Sequence, residues 1–117
     1  MDKIKRLEAE FEACQKILIA FGDEVRQHLL LLMVTGDRNG VRVTEIAEKT
    51  KLTCPAVSHH MQILKDVGVV KSRKEGKFVY YYLDSSCKNV DALIRLFESV
   101  KDVIQSDKVE SNSQFKN

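Results

Sequence analysis

The sequence predicts an α+β domain, mainly helical, in which two short helices run directly into a β-hairpin. Three observations predict it. Apolar residues recur at helical spacing from Thr44 to about Thr50, and again from Thr53 to Leu64, with only a few residues between the two patterns. Directly behind them, Val69-Val70 and the run Phe78 to Tyr82 read as strands around the charged loop Arg73 to Lys77. Amphipathic helices then stand at both ends of the chain, each with one apolar stripe. A short helix, a tight turn and a second helix with a polar opening form a helix-turn-helix, and a basic hairpin behind it is a wing. The expected architecture is therefore a winged helix-turn-helix with N- and C-terminal dimerisation helices.

Taken in order, residues 4–21 are expected to form one helix. Ile4, Leu7, Phe11, Cys14, Leu18 and Phe21 keep three- and four-residue steps, while Lys, Arg, Glu and Gln fill the other face. Gly22-Asp23 ends that pattern and opens a helix from Glu24 to about Val34. Leu29 to Met33 cover most of its circumference, which predicts the central core helix; His28 within it is expected to be structural. Thr35 to Gly40 is a loop, and Val41 to Val43 a short strand against the hairpin. In the next helix Ile46 and Ala47 face inward and Thr44 caps the start. In the second, Thr53 is the N-cap, Pro55 occupies the first turn, Val57, Met61 and Leu64 form the buried stripe, and Gly68 is the C-cap. Gly76 permits the tight hairpin tip, and at least one of Tyr80, Tyr81 and Tyr82 packs inward. Asp84-Ser85-Ser86 reads as a turn and cap for a last helix from Cys87 or Lys88 to about Ile104, with Val90, Leu93, Ile94, Phe97, Val100 and Ile104 on its stripe. Residues 1–105 thus form one domain, and 106–117 a polar tail expected to be disordered.

Net charge is only +2, but its distribution is uneven. Between Arg38 and Leu83 there are nine Lys or Arg against four acids, a balance of +5 that leaves −3 for the remainder. A phosphate-binding surface needs local rather than total positive charge, because affinity arises from local counterion release. The longest apolar run, Leu29 to Val34, is far shorter than a membrane span. No basic-plus-apolar leader opens the chain, so the cytoplasm is expected. Three irregularly spaced cysteines do not suggest a secreted disulfide scaffold. No Gly-rich phosphate loop, G-x-S-x-G or paired carboxylates are evident, so neither an enzyme nor a cofactor is expected.

A helix entering the major groove presents its N-terminal part to base edges. The solvent-facing residues there are Cys54, Ala56, Ser58 and His59, with Gln62 next along, and Thr53 suits a phosphate at the first turn. His60, about 100° away from His59, suits packing or a contact with the turn. Arg73, Lys74 and Lys77 on a protruding hairpin suit the minor groove or its flanking phosphates. The tyrosine run also admits a stacking platform for single-stranded nucleic acid, although its alternation beside a wing favours structure.

The segments GDEVRQHLLLLM and VTEIAEKTKLTCPAVSHHMQILKDVGVVKSRKEGKFVYYYL, with the terminal helices, resemble the ArsR family of winged-helix repressors over about residues 5–105. The most specific part is PAVSHHMQILKDVGVV followed by the wing K-x-R-K-E-G-K-x-V-Y-Y. The resemblance implies a homodimeric repressor that binds double-stranded DNA at a pseudo-palindromic operator. The apolar stripes place Leu7, Phe11, Leu18, Leu93, Phe97 and Val100 in a symmetric interface. Arg26 stands where the family commonly has an arginine, whereas Cys54 stands where it often has a base-reading glutamine. The family's metal sites are not matched. The place of the C-x-C box reads Arg42-Val43-Thr44-Glu45, and the D-x-H-x10-H-x2-E/H pattern, started at Asp84, meets Ser86, Phe97 and Val100. No metal site is expected. Cys14 and Cys87, on helices that the resemblance brings to the interface, and Cys54, at a helix start that lowers a thiol's pKa, are the candidates for thiol sensing. The alternative to a DNA-binding regulator is a winged-helix module that docks a partner protein through its terminal helices.

Overall fold

The computed structural model describes residues 2–106. The N-terminal stripe forms two helices, not one: α1 (Lys3–Ala13) and α2 (Gln15–Phe21), broken at Cys14. Asp2 caps α1 by accepting a 2.8 Å bond from the Lys5 N–H. Past the break the buried positions are Cys14, Ile17 and Ala20, not a continuation of the line through Ile4 and Phe11. The break turns a new face of the chain onto the core, and burial of Ile17 and Ala20 outweighs helical continuity. The Asp23 carboxylate starts α3 (Glu24–Thr35) by accepting from the Arg26 N–H at 2.9 Å. Only one face of α3 is core. Leu29 and Met33 are buried, but Leu31 is 61% exposed, so the expected all-round burial does not occur. His28 lies on that outer, exposed face.

β1 (Val41–Arg42) runs without a break into α4 (Val43–Thr50). Thr44 therefore lies inside the first turn and does not cap it; the cap position is Arg42, which gives no side-chain cap bond because a guanidinium only donates. Lys51, in the left-handed region at φ 60°, ends α4, and the Thr50 hydroxyl accepts from the Leu52 N–H at 3.3 Å to close the turn. α5 (Cys54–Asp66) starts at Thr53, whose hydroxyl accepts from the Ala56 N–H, with Pro55 in the first turn. Its C-cap is Val67, and Gly68 follows at φ 77°. Gly68 N–H donates to the Lys65 carbonyl and Val69 N–H to that of Leu64, a Schellman ending that requires the left-handed residue.

β2 (Val70–Glu75) and β3 (Phe78–Leu83) pair antiparallel, giving a sheet of order β1-β3-β2. The ladder runs from Val70↔Leu83 to Glu75↔Phe78, so only Gly76 and Lys77 form the turn. Arg73 and Lys74 belong to β2, opposite Tyr80 and Val79, where a five-residue loop was expected. Backbone pairing tolerates charged side chains on an edge strand, which is why their polarity did not mark a loop. Tyr81 is buried while its neighbours face the other side, as the pleat demands.

Asp84 accepts from both the N–H and hydroxyl of Ser86, making a local turn that does not reach the helix it precedes. α6 (Lys88–Ser106) is tied at its start by Asn89, which donates to the Val67 carbonyl at 2.7 Å. It packs antiparallel to α1, with Lys3 at one end of the pair 3.1 Å from Asp102. Leu93 and Leu96 enter the core, joining Leu29, Ile46, Val57, Met61 and Leu64. Residues 107–117, which carry nearly all of the expected tail, lie outside the described residues. Among the described residues no helix is long and apolar enough to cross a membrane. Leu96 is fully buried although its neighbour Phe97 is 53% exposed. Leu96→Ala should therefore cost about 2–5 kcal/mol of unfolding free energy, read from denaturant midpoints; an unchanged midpoint would mean that α6 is not part of the folding unit.

Candidate nucleic-acid interface

The orientation of α5 follows from its buried face and one buried cation. Val57, Met61 and Leu64 anchor the helix in the core. Arg26, almost wholly buried, donates from Nε to the Ala20 carbonyl at 2.9 Å and from Nη2 to the Ile19 carbonyl at 3.3 Å. Its Nη1 lies 3.2 Å from Nδ1 of His60. Arginine only donates, so Nδ1 must accept and the imidazole is neutral with its proton on Nε2. Burial pushes the His60 pKa down, with Arg26 and His59 acting the same way against Asp23. Asp23 is itself held below the usual carboxylate range by the Arg26 N–H and by the adjacent charges. One guanidinium thus joins the end of α2, the start of α3 and the middle of α5. With His60 turned inward, His59 is turned out.

On the outer face His59 and Gln62 are exposed, and Gln62 donates to Asp66 within the same helix at 2.8 Å. Thr53 is exposed at the helix start, while Cys54, Ala56 and Ser58 are half-buried. Ser58 opens toward the wing, lining a cleft with Arg42, Thr44, Lys77 and Phe78. Lys65 donates to Ser72 at 2.8 Å and so braces α5 against β2.

The wing residues separate by role. Lys74 and Lys77 are exposed. Arg73 is half-buried, donates to Glu75 at 2.6 Å and to the Asn39 carbonyl, and lies with its guanidinium 4.9 Å from the Tyr80 ring centre. The Glu75 bond raises its pKa. The side chain therefore fastens the loop before β1 to the sheet instead of standing at the tip. Arg42, which was not among the expected contact residues, joins this face with its guanidinium 4.0 Å over the Phe78 ring. Its position just before a helix start in a basic region was the available signal.

The terminal helices divide likewise. Leu93 is spent in the core of the chain; Leu7, Leu18 and Val100 are half-buried, and Phe11 and Phe97 are exposed. Cys14 is buried, Cys54 and Cys87 are half-buried, and all three are free thiols. Among the described residues, no three or more His, Cys, Asp or Glu are grouped to hold a metal ion.

This arrangement has clear relatives. The model of the bacterial regulatory protein arsR family matches residues 25–72. The chain is 36% identical over 86 residues to the HTH-type transcriptional regulator MJ1325 of Methanocaldococcus jannaschii, which covers 73% of this chain and 94% of that one. The chain belongs to the ArsR family. It is also 34% identical over 67 residues to the transcriptional repressor SdpR of Bacillus subtilis, covering 57% of this chain and 71% of the relative. The crystal structure of HlyU from Vibrio vulnificus matches with a TM-score of 0.59 at 31% identity, over 85% of this chain and 98% of that one. As an ArsR-family protein it is a DNA-binding transcriptional regulator, and the helix-turn-helix and wing are those of a non-enzymatic class.

The neutral His60 makes the node sensitive to acid. A histidine whose folded pKa lies below its unfolded value of about 6.5 contributes stability that is fully present above that value. The contribution is lost as pH falls from there through the lowered folded value. The melting midpoint of the wild type should therefore drop more steeply below about pH 6.5 than that of His60→Asn, whose amide oxygen still accepts from Arg26. Parallel pH profiles for the two proteins would refute the assignment.

Proposed function

We propose that this ArsR-family regulator is a homodimeric repressor that recognises a pseudo-palindromic duplex. The observation that carries the reading is the pinned α5, which turns His59 and Gln62 outward beside the exposed wing lysines. His59 and Gln62 then meet base edges in the major groove, Ala56 and Cys54 approach them at the helix start, and Thr53 lies near a phosphate. Lys74 and Lys77 meet the backbone at the wing, while Arg73 supports the wing from within. Repression is supported by the likeness to SdpR, which is named as a repressor.

The dimer reading is supported by apolar surface that the chain leaves uncovered. Ile4, Phe11 and Ile19 on α1 and α2, and Ile94, Phe97 and Ile104 on α6, are all exposed. A shallow groove of about 700 Å³ runs past Phe11, Leu18 and Ile19, with Glu8, Glu12 and Gln15 completing its lining. Six large exposed apolar side chains on the three terminal helices are more than a monomer ordinarily leaves in water. In this interface Phe11 and Phe97 are central and Leu7, Leu18 and Val100 peripheral, while Leu93 supports it from the core. Two-fold symmetry then sets the two recognition helices about 34–36 Å apart.

Phe97→Glu should convert the dimer to a monomer and remove tight binding of a full palindrome while leaving each chain folded, because Phe97 has little to lose within its own chain. Sedimentation across micromolar concentrations checks this, and a variant that stays dimeric sinks the interface. For the contacts, His59→Ala should cost on the order of 1–3 kcal/mol at particular base pairs. Lys74→Ala should weaken all duplexes alike and lower the salt slope by about 0.9 for each phosphate that is no longer neutralised. Equal losses on selected and random duplexes for His59→Ala would move that side chain to the backbone.

A further inference from the structure

We propose that the cleft between α4, α5 and the wing seats one backbone phosphate of the bound DNA, gripped by Arg42 and Lys77 and hydrogen-bonded by Thr44 and Ser58. The proposal rests on the reading that the protein binds duplex DNA, and it identifies two contact residues, Arg42 and Thr44, that the recognition helix and wing tip do not supply. The cleft has a volume of about 210 Å³ and is lined by two cations, two aliphatic hydroxyls and no carboxylate. Arg42 lies 4.0 Å from the centre of the Phe78 ring, and the Lys77 ammonium lies 6.0 Å from the same centre.

The two like charges are thus brought to one ring, and neither has a carboxylate within ion-pair distance among the described residues. That sets them apart from Lys71 and Arg73 of the same wing, which are matched by Asp84 and Glu75. The aromatic ring attracts each cation, and a phosphate in the cleft supplies the charge-assisted acceptor that neither has among the described residues. Glu45, the acid in the first turn of α4, pairs with Lys49 and lines a different cleft, so it does not neutralise the site. The backbone of Arg42 is paired with Tyr80, which fixes the point from which its side chain reaches the ring. Ser58 is half-buried and faces this cleft, so its hydroxyl serves the phosphate instead of a base edge. A phosphate held here lies between the recognition helix and the wing and sets how deeply α5 enters the groove. Such contacts fix register without carrying sequence information.

The test uses the full chain and a duplex that the wild type selects from a random library, with each phosphate replaced singly by a neutral methylphosphonate. One position per half-site should weaken the wild type about tenfold or more, the range for hydrogen bonds to a charged group. The variant R42Q/K77Q should bind the unmodified duplex more weakly by a similar factor and become indifferent to that one replacement, while keeping its response to the others. Both side chains are outside the core, so an unchanged melting midpoint certifies the fold. K77Q alone, in the exposed turn, should reduce the response at the same position. A double variant with the full wild-type pattern overturns the proposal. Inorganic phosphate, titrated at constant ionic strength, distinguishes the source of the anion. If it shifts the Thr44 and Ser58 amide resonances in the wild type only, and the methylphosphonate pattern is the same in both proteins, the cleft takes the free ion and the DNA assignment falls. A wild type that holds no duplex tightly removes both this proposal and the DNA reading on which it rests.

Discussion

The buried guanidinium of Arg26 is the interaction on which the rest of the structure depends. A charge removed from water is costly unless its donors are met, and here they are met by groups from two other helices, α2 and α5. The carbonyls of Ile19 and Ala20 belong to the last turn of α2, where the regular helical donors run out, and that of Ile19 accepts from the Gly22 N–H as well. Arg26 therefore satisfies the end of α2 while standing in the first turn of α3, which fixes the angle between them. Its third contact, to His60, carries that constraint into α5. The direction in which His59 points is decided inside the protein, at a carbonyl pair on another helix.

The same separation of structural from available charge runs through the wing. Cations near the sheet are matched: Lys71 by Asp84, Arg73 by Glu75 and the Asn39 carbonyl, and Lys65 by the Ser72 hydroxyl. These bonds hold β2 against α5 and against the loop before β1. Lys74 and Lys77, toward the turn, and Arg42, beside it, have no such matching among the described residues. Net charge is only +2, but local charge is what counts for a polyanion, and Arg42 and Lys77 both stand at the Phe78 ring.

The terminal helices show how one stripe divides between two duties. Leu93 and Leu96 turn α6 onto the core, while Ile94 and Phe97, one residue further round, face outward. The break at Cys14 does the same for the N-terminal segment, rotating Ile17 and Ala20 inward and leaving Phe11 and Ile19 outside. Each helix consequently carries one face for the core of its own chain and one apolar face left exposed.

What the sequence determined by itself was set by local chemistry, at those helix ends and strands where no distant segment intervened. Thr53 with Pro55 defined a helix start because a hydroxyl acceptor and a missing N–H each suit a first turn. Gly68 marked an ending that only a left-handed residue makes without strain, and the tyrosine run placed one of its members inside because the pleat alternates. The winged helix-turn-helix and the family were legible from these signals in order. What only the tertiary structure decided was the division of surfaces between distant segments. Periodicity put Leu93 and Phe97 on one stripe and left out Leu96, yet Leu93 and Leu96 are the ones buried, because which face turns inward depends on where α6 is anchored, through Asn89 and Val67. The loop expected around Arg73 became strand because pairing with β3 is a property of two segments, and charge on an edge strand does not oppose it. Arg42 drew no notice in the sequence, and Arg26 was marked only by the resemblance, without its contacts. Long-range packing brings one onto Phe78 and buries the other against Ala20, and no local pattern records which partner a long, flexible cation will reach.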